Sequence, residues 1–149
     1  MATGHEVRIL AVDDDHGHIE LIRRNLARAG FMNEIIPVHS GEEAMDFVYM
    51  RGDFAGRQAK GRLLILLDIN MPGMDGLEVL RTLKSDPQKA RIPVIILTTT
   101  EDPREVQRCY ELGCSVYITK PVSSDRFMDA IKRLGLFISV VELPKESEE

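Results

Sequence analysis

Short apolar runs alternate with stretches of helical period along most of the chain. Val7 to Val12 is mostly apolar and is cut off by Asp13, Asp14 and Asp15. Ile19, Ile22, Leu26 and Ala29 then recur at helical spacing, and Gly30 suits the helix stop. Glu34 to Val38 reads as a second strand. Pro37 confines it to an edge, because proline donates no ladder hydrogen bond. Ser40, with Glu43 three residues on, predicts a capping box ahead of Ala44, Phe47 and Val48. Arg51 to Arg62, rich in glycine and charge, reads as a solvated loop. Leu63 to Leu67 is a third strand ending at Asp68, and Asp75 opens a helix through Leu77, Val79, Leu80 and Leu83. Pro93 to Leu97 is a fourth strand running into Thr98, and a helix from Pro103 to Leu112 stops at Gly113. Val116 to Ile118 is a short fifth strand before Lys120 and Pro121, and Ser124 to Leu134 is the last helix.

Strands separated by helices predict an α/β protein, a doubly wound five-stranded parallel sheet with helices on both faces. The third and fourth strands are continuous apolar runs, as strands covered on both faces must be. In such sheets, ligand chemistry collects beyond the carboxyl ends of the strands. The polar residues at those ends are Asp13 and Asp14, Asp68, Thr98, and Tyr117 with Lys120. They are expected to converge.

Two carboxylates about 4 Å apart repel by about 4 kcal/mol at an effective dielectric near 20, so an acidic cluster calls for a cation. An all-oxygen pocket suits Mg²⁺, which keeps several waters and accepts a phosphate oxygen as ligand. Lys120 is a compact charge for a phosphoryl oxygen, and Thr98 adds a hydroxyl donor. A carboxylate can itself take a phosphoryl group as an aspartyl phosphate, and Asp68, alone at its strand end, is the best nucleophile. Asp13 and Asp14 then hold the metal. Any one aspartate after a strand is commonly a turn former or cap, the reading we give Asp75 and Asp15. Only the joint placement carries the chemistry.

Composition narrows the class further. Nineteen basic against 24 acidic residues leave a formal charge of −5, which argues against a broad nucleic-acid footprint. No apolar run reaches the ~18–20 residues of a membrane span, and Met1 to Glu6 lack the features of a signal peptide. A cytoplasmic protein is expected. Cys109 and Cys114 match neither a redox nor a zinc spacing, and read as small buried side chains in and just after a helix. His16 and His18 flank Gly17 near the acidic residues. A solvated first helical turn accounts for them better than a transition-metal site, and His39 and His5 carry no signal.

Val12-Asp13-Asp14, Leu67-Asp68-Ile69-Asn70-Met71-Pro72-Gly73-Met74-Asp75-Gly76, Thr98-Thr99 and Tyr117-Ile118-Thr119-Lys120-Pro121 together resemble the receiver domain of two-component response regulators. The likeness spans nearly the whole chain. It implies the flavodoxin-like strand order 2-1-3-4-5. It implies that Asp68 is the phosphoacceptor, supplied in a Mg²⁺-dependent reaction by a sensor histidine kinase. Asp14 and Asp68 would ligate Mg²⁺ directly, Asn70 would add its backbone carbonyl, and Asp13 would act largely through bound water. Lys120 would pair with the phosphoryl oxygens, Thr98 would move inward to bond one, and Tyr117 would be the aromatic switch. Asn70 and Thr100, two residues past Asp68 and Thr98, would flank the attacking water and tune dephosphorylation.

A narrower likeness rests on the loop Arg51 to Arg62, on Leu97-Thr98-Thr99-Thr100-Glu101-Asp102, on Tyr110-Glu111-Leu112-Gly113 and on Val140-Val141-Glu142-Leu143-Pro144. It points to stand-alone regulators paired with phytochrome-type kinases, so a bacteriophytochrome is the expected partner. The usual aromatic pair with tryptophan is replaced here by Phe137-Ile138. The apolar stretch from Leu136 to Leu143 predicts a homodimer, because an uncovered segment of that kind is a liability. One receiver domain over 1–143, with this extension, and a charged tail over 144–149 leave no output domain and no direct DNA contact. A haloacid-dehalogenase-type phosphatase would need a general acid at position 70, where asparagine stands. A phosphate-independent interaction module would not need the acceptor, metal and lysine positions all filled.

Overall fold

The computed structural model describes residues 7–28, 33–59, 61–99 and 102–120. Within them run β1 (Val7–Val12), α1 (His16–Arg28), β2 (Ile35–Val38), α2 (Gly41–Val48), a 3-10 turn (Gly52–Phe54), β3 (Arg62–Leu67), α3 (Gly76–Ser85), β4 (Val94–Thr98), α4 (Pro103–Leu112) and β5 (Val116–Thr119). The helix expected over Ser124–Leu134, the apolar C-terminal stretch, Gly30 and Thr100 lie outside the described residues.

The five strands are all parallel, in the order β2-β1-β3-β4-β5. Pro37 lies in β2, at an edge as its missing N–H requires. Side chains alternate across the sheet. Leu10, Val12, Leu63, Ile65 and Leu67 face α2, α3 and α4, where they meet Phe47, Leu80, Leu83 and Cys109. Val7, Ile9, Leu64 and Leu66 face the other way, onto Ile22 and Leu26 of α1. Both faces are thus covered, which explains the unbroken apolar sequence of β3. Cys109 and Cys114 are buried and unpaired, and burial pushes their thiols up to about 12 and about 11. They are packing groups.

Local signals set most boundaries. Asp75 and Glu78 form a reciprocal capping box on α3. Asp102 caps α4 with Pro103 behind it, and Gly113 closes that helix at φ 107°, a left-handed conformation glycine adopts without steric cost. Three readings need correction. At α2, Ser40 accepts from the Glu43 N–H, but the Glu43 carboxylate reaches past Ser40 to the His39 N–H at 2.6 Å. The capping box is therefore only half formed there. Arg62 belongs to β3 rather than to the preceding loop, because it pairs with Val7 and is buried. β4 runs from Val94 to Thr98, since Pro93 lends Ile65 a carbonyl but has no N–H to give.

Candidate functional site

Strand register builds the site. Val12 is paired with Leu67, so the residues that follow, Asp13 and Asp68, leave the sheet side by side. Thr98 is paired with Thr119, so Lys120 emerges next to Thr98, whose carbonyl accepts the Lys120 N–H. The Asp13 and Asp68 N–H groups are held by the carbonyls of Val38 and Val12 at 3.1 and 3.0 Å. A parallel sheet thus converts four strand ends, distant in sequence, into one pocket.

Asp13, Asp14 and Asp68 each place a carboxylate oxygen within 4.8 Å of the others. Asp13 and Asp68 are buried and Asp14 is exposed, so the pocket opens on one side. The Asp13 Oδ1 accepts the Asp15 N–H at 2.9 Å, and its Oδ2 accepts Lys120 Nζ at 2.8 Å. Lys120 Nζ lies 3.9 Å from Asp68 Oδ2, close enough to attract but not to bond. The Asp68 Oδ1 accepts the Asn70 N–H at 3.3 Å. Burial pushes the Asp68 carboxyl above its ordinary value, and negative Asp13 adds to this, while Lys120, the Asn70 N–H and the Thr98 hydroxyl oppose it. Thr98 is fully buried, and its Oγ1 accepts Asn70 Nδ2 at 3.1 Å.

α3 presses hard against this loop. A Cβ on Gly76 would meet the Asp68 carbonyl oxygen at 2.3 Å and Ile69 Cα at 2.7 Å, so only glycine fits. From the α2 side, Glu42 Oε2 accepts the Met74 N–H at 3.0 Å. The Asp68 loop is clamped from two helices.

Asp13, Asp14, Asp68, Asn70, Thr98 and Lys120 come together as expected from the sequence. Tyr117 does not join them. Its side chain packs on the α4 face of the core, and burial beside Cys109 and Glu105 pushes its hydroxyl up to about 12. Its N–H donates to Tyr110 Oη at 3.1 Å. Two histidines also border the site. His18 is not simply solvated: its Nδ1 lies 3.0 Å from Lys120 Nζ. His39 stacks on His16 with ring centres 3.8 Å apart, and its Nδ1 lies 3.2 Å from the Asp13 carbonyl oxygen. The available signal was position: a helix starting directly after the acidic residues must present its first turn to the pocket. Among the described residues the three aspartates are the one cluster of metal-ligand type. All-oxygen donors of this kind fit a hard divalent cation.

The fold and the site together define a doubly wound α/β protein with carboxylates at the carboxyl ends of two central strands and a lysine at that of the edge strand β5. The model of the response regulator receiver domain matches residues 9–132. The chain belongs to that family, whose general function is to be phosphorylated by a histidine kinase. Response regulator Rcp1 of Synechocystis is 37% identical over 137 residues, covering 91% of this chain and 92% of the relative. A solved receiver domain from Rhodospirillum rubrum is 48% identical with TM-score 0.78, covering 95% of this chain and 99% of that one. The phosphorylated cyanobacterial phytochrome response regulator RcpA is 35% identical with TM-score 0.81, covering 94% and 99%. A solved form of Rcp1 with Mn²⁺ bound matches at 32% identity and TM-score 0.78, covering 93% and 99%. Phytochrome-associated regulators, RcpA and the bacteriophytochrome response regulator RtBRR among them, are thus among the solved relatives of this chain. No described helix is long and apolar enough to cross a membrane.

Proposed function

We propose that Asp68 accepts the phosphoryl group in this chain, and that the resulting aspartyl phosphate changes which partner the protein binds. The reading is carried by Asp68 lying within 4.8 Å of the other two carboxylates, with Lys120 Nζ 3.9 Å away. A carboxylate oxygen of Asp68 attacks the phosphorus of a phosphohistidine. A P–O bond forms, the P–N bond breaks, and the departing imidazole takes up a proton. Asp14 and Asp68 would hold Mg²⁺ directly, with the Asn70 carbonyl as a further ligand and Asp13 acting through water. The cation supplies neutralisation of charge on the phosphoryl oxygens. Lys120 adds a second positive charge, and the Thr98 hydroxyl hydrogen-bonds one phosphoryl oxygen. In hydrolysis a water oxygen attacks phosphorus and the Asp68 carboxylate leaves, so the chain catalyses its own phosphorylation and dephosphorylation. Asn70, whose amide already reaches Thr98, and Thr100 tune that second step. Tyr117 is the switch residue.

We further infer a kinase of the bacteriophytochrome type, a cytoplasmic setting, a homodimer formed through the apolar stretch Leu136 to Leu143, and no direct DNA contact. The single domain is taken to span 1–143. The kinase is supported by the name RcpA carries and by a matching bacteriophytochrome regulator, RtBRR. The test is intact mass after incubation with a small phosphodonor and Mg²⁺, with Asp68→Asn alongside. One labile phosphoryl group is expected, dependent on metal and absent from the variant. Equal modification of the variant would move the acceptor elsewhere.

A further inference from the structure

Lys120 carries three N–H donors and no acceptor. Two groups take them: Asp13 Oδ2 at 2.8 Å and His18 Nδ1 at 3.0 Å. Nδ1 also lies 3.3 Å from Asp13 Oδ2, and since the ammonium can only donate, Nδ1 accepts in the lysine contact and leaves the ring proton to Nε2. That nitrogen faces the Asp15 carboxylate, 3.6 Å from its Oδ2. Asp15 in turn is fixed by the N–H groups of Gly17 and His18 at 2.8 and 3.3 Å. The first turn of α1 therefore holds the imidazole in one orientation over the lysine.

We infer that His18 is a positioning residue for Lys120, holding its ammonium beside Asp68 when a cation claims Asp13. The inference deepens the proposed phosphoryl chemistry and rests on it. With the pocket free of cation, Asp13 neutralises Lys120. A divalent cation at the carboxylates, reaching Asp13 through a bound water, competes for that same oxygen, and the ammonium must then find another acceptor or be driven from the pocket. His18 Nδ1 is such an acceptor. An imidazole nitrogen carries no negative charge, so it holds the lysine without cancelling the charge that the phosphoryl oxygens need. Without His18 the ammonium competes with the cation for Asp13 and Asp68.

The probe is Mn²⁺ alone, read by water-proton relaxation on the full chain. His18→Leu should weaken binding by about tenfold, the low end of what loss of a contact behind a ligand costs. His18→Asn, whose Oδ1 sits where Nδ1 was, should restore it to near the parent value. In a Lys120→Met background, His18→Leu should change nothing, since the effect runs through the lysine. Nitrogen NMR of the metal-free protein should show His18 protonated on Nε2 only. Equal weakening in the Lys120→Met background would make His18 a direct partner of the cation and overturn the inference. So would asparagine behaving like leucine, or a ring protonated on Nδ1. Failure of the parent protein to bind Mn²⁺ or to accept phosphate would sink the phosphoryl reading instead, while the NMR measurement would still decide the His18–Lys120 contact.

Discussion

The two ends of the sheet carry opposite charge and accommodate it by different means. At the carboxyl end, Asp13, Asp14 and Asp68 crowd together with Lys120 among them. At the amino end Arg8, Arg62 and Lys89 are buried. The Arg8 and Arg57 guanidinium groups lie 5.6 and 3.8 Å from the centre of the Phe47 ring, and Lys89 Nζ lies 5.6 Å from that of Tyr49. Arg8 also reaches Glu34 at 3.3 Å. Aromatic faces and long aliphatic stems let a cation be buried in place. Carboxylates have no such refuge: they must be hydrogen-bonded or neutralised. The acidic end therefore retains carboxylate charge that fits a divalent cation, whereas the basic end is spent on packing.

The comparison can be broken most severely at Gly76. Gly76→Ala should cost more than about 3 kcal/mol in denaturant unfolding, because the new methyl group collides with the Asp68 carbonyl rather than with a flexible side chain. A variant that melts like the parent would show that α3 can back away, and the clamp on the Asp68 loop would be discarded.

Removing the neutralising charge tests the acidic end more directly. Lys120→Met should destabilise the metal-free protein by about 2 kcal/mol at neutral pH, with saturating Mg²⁺ restoring most of the loss. Thermal melts with and without Mg²⁺ measure both. At the amino end the sign reverses. The Lys89 ammonium is buried and has no hydrogen-bond partner among the described residues, so Lys89→Met should stabilise by about 1 kcal/mol. A fall in stability would mean that its contact with Tyr49 and its attraction to the Asp86 carboxylate outweigh desolvation.

The gentlest test is alkaline pH. Burial pushes Cys109 from 9.0 to about 12, Cys114 from 9.0 to about 11, and Tyr49 and Tyr117 from 10.0 to about 12. Between these values the folded protein keeps protons that the unfolded chain releases, so stability must fall as pH rises. Loss should begin near pH 9 and steepen toward 12 in urea melts, and Cys109→Ala should flatten its onset.

The sheet was legible because its signals are local. Pro37 marked an edge, Asp75 marked a cap, and apolar runs marked strands covered on both faces. Arg62 misled because a charged residue after a glycine-rich stretch looks solvated, although its stem can lie along a core. Glu43 misled because a capping box specifies which residues could bond, not which N–H the carboxylate will reach. His18 and His39 were passed over for a similar reason. Nothing in their neighbours tells that one ring meets a lysine 102 positions later in the chain, or that the other stacks on His16.

The sequence by itself determined the order of elements, the alternation of strand and helix, and which residues stand where strands end, because periodicity and capping act over a few residues. Only the tertiary structure decided which oxygen Lys120 bonds, how closely α3 approaches Asp68, and that Tyr117 turns toward α4. Those depend on the relative placement of β1, β3, β4 and β5. That placement is set by packing summed over both faces of the sheet, and no short window of residues contains it.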